Sequence, residues 1–479
     1  MRPTERRAGR AAPLPTEAVP RPLERRLRQF GLLTSLLGFV TLTGYATTAS
    51  SPQIVIFWAF CLLIGLLVVH RAGPVAVSVF LVVFGAACIG TVFLMWSNTA
   101  YYGAPYFIGG SDDLTYEIDA AAFAEQHSPL DYGAIRGGIV GTGHNSVGYV
   151  FLVGLLMEVA APIGGFDTVM PRVLNALFLG LISVLILSIG HRLGLRGRNA
   201  TLAALITGLF PLMVWVAGQT LRDIPVALLL VVLVAIWTPN HATGRYVHTA
   251  PIAIALSALA LVTLTQLRLG QAALAAILLL YFIVRRWKDS KGLDRRVLEL
   301  SLVPTVLLLG SGTIRFVSES LARASDYTAS YAAYRLENRV SDGGLSAVVF
   351  EAPLFPAGWL LRAGYQLATP LPVSFEPAHN VLLSAGTIAG LTATPFLLRG
   401  TIHSLRISAW RPIGLTFSGL FMSIALTTLT TRQAVTWIPF AVLLVFLGSE
   451  VISKKPTHYV LPTFVVLAAL APVYLLLRA

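Results

Sequence analysis

The sequence predicts an all-α polytopic membrane protein, and three observations carry that reading. Of the 479 residues, 56% are hydrophobic and only 12% charged, with a mean hydropathy of +0.75. Apolar runs such as Val75 to Trp96 are continuous over the ~20 residues that a helix needs to cross a bilayer. The basic residues gather in short clusters between those runs, where they set membrane orientation. A transmembrane β-barrel would instead alternate apolar and polar positions in short segments. The net charge of +13 belongs to the clusters between runs, so nucleic acid is set aside as a partner. Cys61 and Cys88 both lie inside apolar runs and give no disulfide framework.

Taken in order, residues 1–28 carry eight arginines, several prolines and no apolar period, which predicts a disordered basic tail on the cytoplasmic side. The run that starts at Phe30 is longer than a signal-peptide core and reads as a retained first span. Three spans occupy 29–96, near 30–49, 53–70 and 75–96. Further spans are expected near 173–190, 200–218, 224–238, 249–265, 270–284 and 297–314, within a core of 173–314. The C-terminal part, 379–479, is expected to hold four more, near 379–398, 413–430, 434–452 and 459–477, about 13 in all.

The apolar stretch 147–163 is ambiguous, and charge decides it. If it does not cross, the basic segments 191–198, 285–296, 399–412 and 453–459 all fall on the cytoplasmic side; if it crosses, all four fall outside. It therefore reads as a helix in the outer interface, ended by Pro162. Two sizeable outer loops follow, 97–172 and 315–378, which hold most of the carboxylates.

The first loop contains "GGSDDLTYEIDAAAFAEQ" (Gly109 to Gln126), with Asp112, Asp113, Glu117 and Asp119 within eight residues. Such acids can simply be solvated. Beside a membrane-embedded substrate, adjacent carboxylates also supply a base or a metal ligand, because like charges close together raise one pKa. Arg222, Arg268 and Arg432 fall at the ends of apolar runs, where guanidinium forks can hold a phosphate. Arg268 can equally mark a tight turn and reach to headgroups, and Arg222 can pair locally with Asp223. In the second loop Tyr327, Tyr331 and Tyr334 share one helix face, either stacking on sugars in an acceptor groove or anchoring the helix in an aromatic belt. No P-loop, dinucleotide fingerprint, CxxC or HExxH spacing is present.

"SDDLTYEIDAAAFAEQ" resembles the first extracytoplasmic loop of the GT-C superfamily of membrane glycosyltransferases, in which an acid stands four residues before a tyrosine and an alanine-rich helix follows. Here Asp112 is four before Tyr116. The resemblance runs from roughly Gly109 to Trp237. "GHNSVGYVFLVGLLMEVAAPIGG" is similar to the family's second juxtamembrane helix, and "MPRVLNALFLGLISVLILSIGHRLGL" to the next span, with Arg172 at its outer end. "LFPLMVWVAGQTLRDIPVALLL" resembles the span returning to a loop that bears an acid, here Asp223. "TTRQAVTWIPFAVLLVFL" is similar to an arginine-then-proline segment, with Arg432. Three spans precede the acidic loop instead of one, and His144 is followed by Asn145 where the family has proline.

The resemblance implies a GT-C-type helical bundle with juxtamembrane helices in the first outer loop. It implies inverting transfer of a sugar from a polyprenyl-phosphate donor to a glycan, lipid or protein acceptor, as in dolichyl-phosphate-mannose mannosyltransferases and aminoarabinose transferases. Asp112 would be the base, and Asp113 its partner or a metal ligand. Arg432, Arg268 and Arg222 would bind the donor phosphate, supported by Tyr116, His144, Arg172 and Asp223. No cofactor is certain; if a divalent cation such as Mg or Mn takes part, Asp112, Asp113 and Asp223 are its ligand set. The scarcity of lysine beside arginine suggests a GC-rich bacterial source, hence an inner-membrane protein with its site on the periplasmic or extracellular face. Two other readings stay open: a polysaccharide polymerase or ligase acting on polyprenyl-diphosphate-linked oligosaccharide, suggested by Arg335, Arg339 and Arg362, and a lipid-linked sugar flippase.

Overall fold

A computed structural model of the chain describes residues 21–107, 112–126, 146–308, 358–368, 377–427 and 431–451. Among the described residues the chain is helical, with no strand. The N-terminal helices are α1 (Arg21–Thr48), α2 (Gln53–Val69) and α3 (Pro74–Tyr102). The loop helices α4 (Asp112–Gln126) and α5 (Val147–Ala160) come next, then α6 (Val169–Arg192), α7 (Gly197–Leu209), α8 (Pro211–Ala217) and α9 (Asp223–Trp237). They are followed by α10 (Ala250–Leu267), α11 (Leu269–Asp289), α12 (Gly292–Leu308) and α13 (Trp359–Ala368). The last are α14 (Asn380–Arg406), α15 (Arg411–Thr427) and α16 (Ile438–Val451), with a 3-10 turn, Thr431–Thr436, before α16.

Among the described residues, seven helices are long and apolar enough to cross a membrane: α1, α2, α3, α6, α10, α11 and α14. An eighth crossing results if α7 and α8, bent by 47°, form one span. The bend follows from Phe210 being extended before Pro211, which brings no N–H to continue the ladder of α7. Four expected spans coincide with helices of only 14 to 17 described residues, α9, α12, α15 and α16. The thirteenth, 459–477, lies outside the described residues. The ambiguous stretch forms the 14-residue α5 and a short 3-10 turn at Pro162, and it packs on α4.

The core is built around α3, which packs against α1, α6, α7 and α8. Phe80 and Phe84 are fully buried and stacked 5.5 Å apart, and Trp58 lies 6.1 Å from Phe84. Where α3 meets α1, Gly85 lies so close to the Thr34 backbone that a side chain has no room. Lipid is as apolar as leucine, so such close backbone approach, and the dispersion contacts it allows, is what holds spans together. Leu36, Ile56, Phe60, Leu63, Leu67 and Leu259 point outward, which suits a surface in lipid.

The two ends of the bundle differ. At one, Arg192 donates to the Ala235 carbonyl, the Trp410 indole donates to the Leu193 carbonyl, and Arg286 bonds the His248 carbonyl and Asp294. Three of the four basic segments therefore converge there, and the fourth lies outside the described residues. The opposite end carries the acidic helix α4.

Candidate functional site

The acidic helix begins with Asp112 and Asp113, where the positive end of the helix dipole favours carboxylates. Residues four apart share a face, so Asp112 goes with Tyr116 and Asp113 with Glu117. The two faces meet different surroundings.

Asp113 and Glu117 turn into the fold. Asp113 is fully buried, and its Oδ2 accepts the Phe107 amide at 2.9 Å while Oδ1 accepts the Leu114 amide at 3.1 Å. Glu117 accepts three hydroxyl donors: Tyr106 at 2.8 Å on Oε2, and Thr168 at 2.6 Å and Thr220 at 2.7 Å on Oε1. Burial first, then the adjacent carboxylate, pushes the Tyr106 hydroxyl pKa well up, so it stays a donor.

Asp112 and Tyr116 face the arginines. Asp112 pairs with Arg432 Nη2, and Arg432 Nε lies 3.9 Å from Oδ2 of Asp223. The other oxygen of Asp223 pairs with Arg268 Nη1 at 2.7 Å. Arg222 donates to the Leu267 carbonyl at 3.0 Å, which caps the end of α10. Arg268 is the extended residue between α10 and α11 and so does mark a tight turn, but its side chain folds back onto Asp223. Tyr116 is buried and lies 3.3 Å from the Ser146 hydroxyl.

Electrostatics follow from this layout. Burial lowers the Arg268 pKa more than Asp223 raises it. Burial also acts downward on Arg432, but Asp223 and Asp112 outweigh it and lift the guanidinium above its usual value. Both remain cations at any physiological pH. Asp223 is only 2% exposed and Asp112 47% exposed, so Asp112 is the carboxylate open to a ligand.

The three carboxylates expected to hold a divalent cation do not converge. Asp112 and Asp223 lean on one guanidinium, and Asp113 is turned onto backbone amides. No group of three or more metal-ligating side chains occurs among the described residues. The expected ligand set thus does not fit a metal ion.

Arg172 lies at the start of α6, fully buried, 5.7 Å over the Tyr106 ring, with Nε 3.5 Å from the Thr220 hydroxyl. It belongs with Glu117 and not with the three arginines. His144, Tyr327, Tyr331 and Tyr334, and Arg335 and Arg339, fall outside the described residues. Arg362, on α13, is buried. The sequence reading gave no role to Glu117, Tyr106, Thr168 or Thr220. The spacing of Glu117 four residues after Asp113 was the available signal. Comparisons with family profiles, curated proteins and solved structures find no match for this chain.

Proposed function

We propose that the chain is an integral-membrane glycosyltransferase that moves a sugar from a polyprenyl-phosphate donor to a hydroxyl of a glycan, lipid or protein acceptor. One observation carries the reading: Arg432 bridges the half-exposed Asp112 and the buried Asp223, with Arg268 and Arg222 beside it. Putting such charges among apolar helices costs several kcal/mol per ion in desolvation, so stability alone is a poor reason to keep them. A polyprenyl-phosphate sugar brings an apolar tail, an anionic phosphate and an electrophilic anomeric carbon to the membrane interface. Cations and one accessible carboxylate are the complementary set.

In this mechanism the donor phosphate takes over guanidinium hydrogen bonds of Arg432, Arg268 and Arg222. Arg432 then releases Asp112. The acceptor hydroxyl passes its proton to the Asp112 carboxylate as its oxygen bonds to the anomeric carbon from the face opposite the phosphate. The bond from that carbon to the phosphate oxygen breaks, and its electron pair stays on the phosphate, where the arginines meet the added charge. The gathering of basic segments at the other end of the bundle supports placing this site on the extracytoplasmic side of the inner membrane.

The test is Asp112→Asn beside wild type in membranes supplied with labelled polyprenyl-phosphate sugars. Donor binding is expected to persist while transfer falls by about 10²-fold or more, the scale of a lost general base. Unchanged transfer by the variant removes Asp112 from the chemistry. No transfer by wild type from any such donor removes the reading.

A further inference from the structure

We propose that Glu117 is a positioning residue that sets the separation of Asp112 from the arginine cluster by tying α4 to the segment that carries Arg222 and Asp223. The proposal rests on the transfer reading above.

Glu117 is 6% exposed and joins three separate parts of the chain: Tyr106 after α3, Thr168 before α6 and Thr220 before α9. Its partner segment is itself fixed. Asn175 Nδ2 donates to the carbonyls of Gln219 at 2.9 Å and Leu221 at 3.0 Å, on either side of Thr220. The Thr220 hydroxyl donates to Glu117 and accepts from Arg172. Arg222 and Asp223 follow directly on this clamped stretch.

The result is a closed ring. On one face α4 reaches Arg432 through Asp112, Arg432 reaches Asp223, and the chain runs back to Thr220; on the other face Glu117 closes the ring onto α4. A phosphate that draws Arg432 away opens the first link. The hydrogen bond from Thr220 to Glu117 is a direct tie between the base-bearing helix and the Asp223 segment that does not pass through Arg432. The Asp112 carboxylate would keep its place during transfer because of it.

Glu117 does not itself qualify for the chemistry. Its carboxylate is buried, its oxygens take three hydroxyl donors, and Arg172 reaches it only through Thr220. A lost tether acts on orientation, where a misplacement of ~1 Å costs up to about 10²-fold in rate. It leaves binding of the donor to the arginines largely intact.

Glu117→Gln and Glu117→Ala separate the possibilities. The Gln amide oxygen can accept from both threonines, and its NH2 can donate to the Tyr106 oxygen, so the tether survives without the charge. Glu117→Ala is expected to lower kcat about tenfold or more with the donor KM changed less than about threefold. It is also expected to speed hydrogen–deuterium exchange in 112–126, whereas Glu117→Gln restores both. If Glu117→Gln is as slow as Glu117→Ala, the charge and not the tether is needed, and the proposal fails. It also fails if Glu117→Ala leaves kcat per folded molecule unchanged. Should wild type transfer no sugar, the functional reading falls by itself. The exchange measurement then still decides the tether, which is refuted if 112–126 exchanges equally in wild type and Glu117→Ala.

Discussion

Asp112 and Asp223, the first residues of α4 and α9, share the guanidinium of Arg432. Each carboxylate sits at the positive end of its own helix dipole. Arg432 meets them with different nitrogens, Nη2 for Asp112 and Nε for Asp223. A ligand anion that competes with Asp112 for Nη2 leaves the contact at Nε intact. That asymmetry lets the guanidinium exchange one partner while staying anchored by the other.

Arg432→Lys tests this. A lysine keeps the charge but is a single point donor group, and it cannot hold two carboxylates with two separate nitrogens. Binding of a polyprenyl phosphate to the detergent-solubilised variant is expected to weaken about tenfold, or ~1.4 kcal/mol. An unchanged Kd by titration calorimetry would show that the Arg432 fork does not hold the phosphate.

The members of the cluster were legible in the sequence, and the ion pairs among them were not. In a chain this apolar, Arg222, Asp223, Arg268 and Arg432 stand out because charges near apolar runs are expensive, and Asp112 stands out through its spacing to Tyr116. What the sequence could not tell is which acid of α4 faces which way. Asp113 and Glu117 turn inward because Phe107, Thr168 and Thr220 approach that face, and those contacts span up to 103 residues. Hydropathy found the long spans, and at 200–218 it found the stretch that α7 and α8 occupy, although a window average does not register the 47° bend before Pro211. The shortness of α9 has a similar cause: its chain runs straight on from the irregular 218–222 stretch that Asn175 clamps.

Gly400 and Gly448 bring α14 and α16 into backbone contact, Gly400 against the Leu444 carbonyl and Gly448 against that of Phe396. A methyl group fits at neither, and the helix holding Arg432 in place through its preceding turn would have to shift. Gly400→Ala is expected to destabilise by ~1–3 kcal/mol, the usual scale of overpacking. Gly44, in α1, has open space around it, and Gly44→Ala is expected to be neutral or stabilising by up to ~1 kcal/mol through helix propensity. Thermal unfolding in detergent reads both. Equal midpoints for the two variants would refute the close contact.

His379, just before α14, ties that helix to α3: its amide donates to the Ser97 hydroxyl at 3.2 Å, and its Nδ1 lies 3.4 Å from the same oxygen. The ring packs near Tyr102 and Phe107 with 1% of the residue exposed. Burial lowers its pKa below the ordinary 6.5, so the fold prefers the neutral imidazole. Below 6.5 the unfolded chain takes up a proton that the folded protein resists, so unfolding binds protons and stability falls as pH falls. The contribution is complete above about 6.5 and is lost progressively as pH drops toward the lowered value; carboxylates begin to protonate only near pH 5 and below. Wild type is therefore expected to lose melting temperature between pH 7 and 5.5, and His379→Asn, which keeps a polar atom toward Ser97 but cannot titrate there, to lose less. Parallel pH profiles for the two proteins would mean that His379 protonates in the fold as easily as in water, and that burial at this joint between α3 and α14 carries no electrostatic cost.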